Sequence, residues 1–120
     1  MAKSYRLEKI NDVMKELLSE LIFKTLRDPR IGFVTVTAVQ TAPDLMSARV
    51  YVSVMGSEDD KKATLLGLES AGSFLRRTVG RELKLRYAPE LRFIYDDSLD
   101  RAIAIEDVLK KIKKDGQEET

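Results

Sequence analysis

The sequence predicts an α+β fold, a small three-stranded mixed sheet with helices packed on one of its faces. Three observations lead there. The hydrophobic period is helical up to Asp28-Pro29, becomes two between Phe33 and Val54, and is helical again from Ser57. The second helical stretch is interrupted at Ala71-Gly72-Ser73 and followed by a short alternating segment, Leu91 to Tyr95. Two helices between the second and third strands form a crossover long enough to lay the third strand parallel to a neighbour. The expected order is helix, strand, strand, helix, helix, strand, helix.

The first helix is expected over about residues 5–26. Leu7, Ile10, Met14, Leu17 and Leu21 repeat at helical spacing, and Val13, Leu18 and Ile22 widen the stripe to the breadth of a core-facing surface. Ser4 is placed to cap its start, and Asp28-Pro29 stops it because the proline ring disfavours helical geometry at the preceding residue.

In the first strand Val34, Val36 and Ala38 alternate with Thr35 and Thr37. In the second, Ala48, Val50, Val52 and Val54 alternate with Arg49, Tyr51 and Ser53. The short link from Thr41 to Met46, with Pro43-Asp44, makes these an antiparallel hairpin with one buried face.

Ser57-Glu58-Asp59-Asp60 reads as a capped helix start, with its acids at the positive end of the helix dipole. Leu65, Leu68, Gly72, Leu75 and Val79 keep one apolar stripe through the weak helix formers at 70–73, so two helices, about 58–71 and 73–85, meet at a kink formed by Ala71, Gly72 and Ser73. Gly72 is expected to take positive φ or to admit a close backbone approach. After Pro89, the third strand alternates Leu91, Phe93 and Tyr95 with Arg92 and Ile94. Ser98 is expected to cap a last helix with Ile105, Val108, Leu109 and Ile112 on one face, basic residues in its final turns and Gly116 at its end. One domain, 1–114, with a flexible tail at 115–120 is the expected organisation.

Composition narrows the chemistry. A chain of 120 residues, 43% apolar, can build one core without disulfides or a structural metal. It has neither Cys nor His, which removes thiol nucleophiles, imidazole bases and the common zinc sites. No long apolar run is present, so a cytosolic protein with no membrane contact is expected. The six glycines form no GxGxxG or GxxxxGK[ST] loop. Asp96, Asp97 and Asp100 could in principle hold Mg²⁺, but acids at a strand end beside a helix start are ordinary turn and cap residues. No catalytic residue, metal site or cofactor is expected.

Binding chemistry is better supported. The formal net charge is only +1, yet Ser70 to Arg92 holds Arg76, Arg77, Arg81, Lys84, Arg86 and Arg92 against Glu82 and Glu90. Residues three to five apart on a helix share a broad face, so this segment can present several donors to successive phosphates. No helix-turn-helix or basic zipper is visible, and a small sheet with a kinked helix pair suits single-stranded or irregular RNA better than a duplex major groove. Arg6, Lys9 and Arg49 are secondary candidates for RNA contact. Tyr51 and Tyr87 could stack on bases.

The blocks Leu26-Arg27-Asp28-Pro29-Arg30, Phe33 to Thr37, Pro43-Asp44-Leu45 and Ala48 to Val54 are similar to those of bacterial ribosome-binding factor A. So are Phe74 to Arg77, Leu83 to Arg86, Pro89 to Phe93 and Asp96-Asp97-Ser98, in order and spacing. The resemblance covers residues 4–112. It implies a type II KH fold and a non-catalytic, monomeric factor in late maturation of the small (30S) ribosomal subunit. The partners implied are the free subunit and 16S ribosomal RNA near its 5′ terminal helix, with a role in 5′-end processing and in the cold. The family replaces the GxxG loop of other KH domains by an Ala-x-Gly kink; here the alanine aligns as Ala71 but the glycine stands one place early, at Gly72. The competing readings are a generic KH-like module for single-stranded nucleic acid and a carboxylate-dependent Mg²⁺ enzyme.

Overall fold

The computed structural model describes residues 2–118. Its elements are α1 (Ala2–Lys24), β1 (Val34–Thr41), β2 (Ser47–Val54), α2 (Glu58–Ser70), α3 (Gly72–Glu82), β3 (Glu90–Tyr95) and α4 (Ser98–Glu118). β2 is the central strand, antiparallel to β1 and parallel to β3, so the sheet is mixed and its order is β1-β2-β3. Among the described residues no helix is long and apolar enough to cross a membrane.

α1 turns Met14, Leu18 and Ile22 onto the sheet, and α2 and α3 add Leu68, Leu75 and Val79 beside them. Opposite lie Ala48, Val50, Val52 and Val54 of β2, all buried, as the period-two reading requires. α1 begins before Ser4 instead of being capped by it, because Ala2 and Lys3 are themselves good helix formers. It closes at Lys24, and the Leu26 N–H reaches back to the Leu21 carbonyl at 3.3 Å as the chain leaves the helix.

The alternation in β1 differs from the simple expectation. Val36 pairs with Val52 and Ala38 with Tyr51, which leaves Thr37 as the extra residue of a β-bulge. The bulge resets the pleat, so Val39 and Thr41 turn into the core and Ala38 is only half-buried. The Thr37 hydroxyl donates to Asp96 Oδ2 at 2.6 Å, tying the bulge to the end of β3.

α2 starts with a capping box: Ser57 Oγ accepts from the Asp60 N–H at 3.1 Å, and Asp60 Oδ2 accepts from the Ser57 N–H at 2.8 Å. The break between α2 and α3 falls at Ala71, with φ −84° and ψ 0°. Gly72 has no positive φ, and a Cβ added to it would meet nothing within 4 Å. The turn of the two axes is therefore made by Ala71 in the bridge region of backbone space, which any residue can adopt, and the expected special role of Gly72 is absent. Close approach is permitted instead at Gly67, whose Cβ would lie 2.6 Å from Ile31 Cγ1.

α3 ends three residues earlier than expected, at Glu82. α4 begins at Ser98, whose N–H donates to Asp96 Oδ1 at 2.9 Å and whose hydroxyl donates to the same oxygen. Asp96 is thus the acceptor at this helix start, and Ser98 a donor. α4 continues through Gly116 to Glu118, since the residues around that glycine are adequate helix formers; Glu119 and Thr120 lie outside the described residues. Its stripe of Ile105, Val108, Leu109 and Ile112 is exposed.

Candidate nucleic-acid interface

The six basic residues singled out between Ser70 and Arg92 do not form one patch. Arg76 turns toward the chain that enters β3, where its Nε donates to the Pro89 carbonyl at 3.1 Å and Nη2 lies 3.5 Å from the Ala88 carbonyl. That guanidinium fastens α3 to β3, a structural use the sequence did not reveal. Arg77 and Arg81, four residues apart, share an exposed face of α3. Arg81 has Glu82 at 3.8 Å, and both side chains are well exposed, so water screens the pair.

Arg92 lies elsewhere. It pairs in register with Arg49 across β3 and β2, and Arg49 with Gln40 across β2 and β1, so these three form a row over the open face of the sheet. Glu90 stands 3.8 Å from Arg92 on the same face. Arg86 lies over the ring of Tyr87 at 5.6 Å, on the loop after α3. Lys84 is brought to the α1 side of the molecule, where it borders a groove with Arg6 and Lys9. Tyr51 sits half-buried within the sheet, and Tyr87 is exposed.

Polar contacts position the break between α2 and α3. Asp28 and Arg30 form an ion pair at 2.6 Å, Arg30 Nη2 donates to Ser70 Oγ at 3.0 Å, and Thr64 Oγ1 accepts from the Gly32 N–H at 3.2 Å. The loop after α1 thereby grips α2 as far as its last residue, and Gly67 lets it come close. The Arg30 hydrogen bonds hold the Asp28 carboxyl down at about 2. At the end of β3, bonds from Ser98 and then Thr37 hold Asp96 at about 2. Asp97 pairs with Arg101 at 2.9 Å, and Asp100 with Lys61 at 3.2 Å and the Tyr95 hydroxyl. Asp96, Asp97 and Asp100 each have a local partner, and among the described residues no group of acids is placed to share a metal ion.

Sequence reasoning missed Leu45. It stands in the β1–β2 turn with φ 61°, a conformation rare for a bulky side chain. The Pro43-Asp44 turn signal gave its neighbourhood but not its backbone.

The sequence profile of ribosome-binding factor A matches residues 6–109. The chain belongs to the ribosome-binding factor A family. It is 47% identical over 112 residues to ribosome-binding factor A of Geotalea uraniireducens (strain Rf4), covering 93% of this chain and 92% of that one. Against the factor of Halothermothrix orenii the identity is 41% over 113 residues, covering 94% and 93%. Among solved structures, the crystal structure of ribosome-binding factor A from Thermus thermophilus matches with a TM-score of 0.65 at 28% identity, covering 74% of this chain and 94% of that one. A homology model of the Thermus thermophilus factor, fitted into a cryo-EM map of a 30S–RbfA complex, matches with a TM-score of 0.60 at 30% identity, covering 72% and 91%. The fold is the KH-like one of these structures, with a fourth helix after the αββααβ unit.

Proposed function

We propose that this protein is a non-catalytic assembly factor that binds the free small ribosomal subunit through its ribosomal RNA. The observation that carries the reading is the exposed Arg77 and Arg81 face of α3, set at an angle to α2 by a braced joint, in a member of the ribosome-binding factor A family. The 30S complex of the Thermus thermophilus factor supports the choice of partner. The domain of residues 1–114 carries the contact and acts as a monomer in the cytoplasm. The RNA is 16S, near its 5′ terminal helix, and the role is late maturation with 5′-end processing, most needed in the cold. Of the basic residues, Arg77 and Arg81 contact phosphate from α3, while Arg76 serves the fold.

Sedimentation of a lysate through a sucrose gradient tests this reading. The protein should travel with free small subunits and be scarce on translating ribosomes; equal occupancy of both would count against an assembly role. Arg77→Glu with Arg81→Glu should abolish the association while the protein stays folded. Removing either arginine alone should reduce the salt dependence of binding by about 0.7 in slope, the value for one phosphate neutralised on a single strand.

A further inference from the structure

Two residues other than glycine have positive φ in this chain as described, Leu45 at 61° and Lys84 at 53°, and both border the same groove. It lies where the N-terminal half of α1, the β1–β2 turn and the end of α3 meet. Ile10, Leu45 and Leu83 line it, and Arg6, Lys9 and Lys84 stand around it. Among the described residues no carboxylate lines it or comes within ion-pair distance of those three cations.

The backbone at Lys84 is the informative feature. The Lys84 N–H reaches the Arg81 carbonyl at 3.2 Å and the Leu85 N–H reaches the Gly80 carbonyl at 2.9 Å, which closes α3 in the manner that usually places glycine at the left-handed position. A lysine one turn earlier would serve the negative end of the helix dipole equally well and without strain. Leu45 occupies its turn at a similar penalty, with its N–H on the Ala42 carbonyl at 2.9 Å. Strained residues of this kind gather at ligand clamps. One here brings a cation to the groove and the other an apolar side chain.

Three cations around an apolar floor fit a ligand that is anionic at its edges and apolar in the middle. The hollow is about 300 Å³, at the small end of ligand pockets, which suits one compact group better than a partner helix. We infer that this groove is a site for one unpaired nucleotide of single-stranded RNA, its flanking phosphates on Arg6, Lys9 and Lys84 and its base against Ile10, Leu45 and Leu83. The site rests on the RNA-binding role proposed above and adds a second contact, apart from Arg77 and Arg81. Phosphates without a base would leave the apolar floor wet, and a base without the cations would leave its phosphates unpaired.

Fluorescence anisotropy with a labelled uridine hexamer and an abasic hexamer of the same length tests the site. The uridine hexamer should bind with a salt slope of about −2, three contacts at about −0.7 each. The abasic hexamer should bind about tenfold more weakly, the scale of a single stacking or apolar interaction with a base. Lys84→Gly should melt about 4 °C or more higher, since glycine relaxes the turn, and yet bind the uridine hexamer about tenfold more weakly. A purely structural lysine would not give that opposition. Unchanged binding by Lys84→Gly, equal affinity for the two hexamers, or displacement of RNA by a glutamate-rich peptide at equal concentration would each overturn the site. Should the wild-type protein fail to sediment with free subunits, the assembly role falls; should it sediment while Lys84→Gly binds RNA normally, only the groove falls.

Discussion

α1 and α4 are the two long helices of this protein, 23 and 21 residues, and both carry an apolar stripe at helical spacing. α1 lays its stripe on the sheet and sinks Met14 and Leu18 completely. α4 leaves Ile105, Val108, Leu109 and Ile112 more than half exposed. Periodicity therefore records which side of a helix is apolar, and topology decides whether anything covers it. α1 is followed by a loop that folds back onto α2 and holds the hairpin against it. α4 leaves the sheet at the end of β3, tethered at its first turn by Asp96 and by the Asp100 contacts to Lys61 and Tyr95. At 21 residues, with an Asp97–Arg101 pair four apart, it is long enough to hold helical structure by local bonds.

The comparison is sharpest in the core. Leu18→Ala removes a fully buried side chain at the centre of the α1 face and should destabilise the protein by about 2–5 kcal/mol, read from urea unfolding. A loss below about 1 kcal/mol would mean that α1 is held by something other than this stripe.

Acid should loosen the tethers of both helices. Asp28, at the exit of α1, and Asp96, at the entry to α4, lie at about 2 when folded against an ordinary 3.8. Their depressed values mean that the unfolded chain binds these protons first as the pH falls. The stabilisation is therefore complete above about pH 4 and disappears as the pH drops through about 2. Asp96→Asn should flatten part of that acid decline in unfolding midpoint and speed amide exchange in the first turn of α4, leaving α1 protected. Asp28→Asn should flatten another part and speed exchange at the end of α2. An acid limb unchanged in both variants would show that other carboxylates govern it.

Much of this architecture was legible in the chain because period and punctuation agreed. The alternation of Ala48, Val50, Val52 and Val54, the Ser57 to Asp60 cap and the break near residue 71 all rest on local chemistry. What was not legible depends on contacts distant in sequence or on a single backbone angle. The bulge at Thr37 is stabilised by Asp96, 59 residues away, and Arg76 is claimed by the carbonyls before β3. A run of basic residues gives a charge but not a direction, so one apparent patch became the α3 face, the groove around Lys84 and the Arg49–Arg92 row. Leu45 had no signal beyond its turn.

Gly72 lies between the covered helices and shows the same limit on a smaller scale. Its place in the stripe with Leu68 and Leu75 suggested a packing role, yet a Cβ there meets nothing and φ is ordinary. Gly72→Ala should therefore stabilise the protein by about 0.4–1 kcal/mol, because alanine restricts the unfolded chain and favours the first turn of α3. Subunit binding should be unchanged, since Ala71 sets the angle. A less stable variant would return the kink to Gly72.

The smallest effect belongs to α4 and decides whether the contrast with α1 is real. Leu109 is 60% exposed, so alanine at that site forfeits little burial and leaves no cavity. Alanine is also the better helix former, by a few tenths of a kcal/mol. The two contributions oppose each other, and Leu109→Ala should change the unfolding free energy by no more than about 0.5 kcal/mol, against several for Leu18→Ala. The same leucine-to-alanine change at two helical stripes of one protein then measures what cover is worth, with side-chain chemistry held constant. A loss at Leu109 comparable to that at Leu18 would place α4 against the body of the protein in solution and remove the distinction between the two helices.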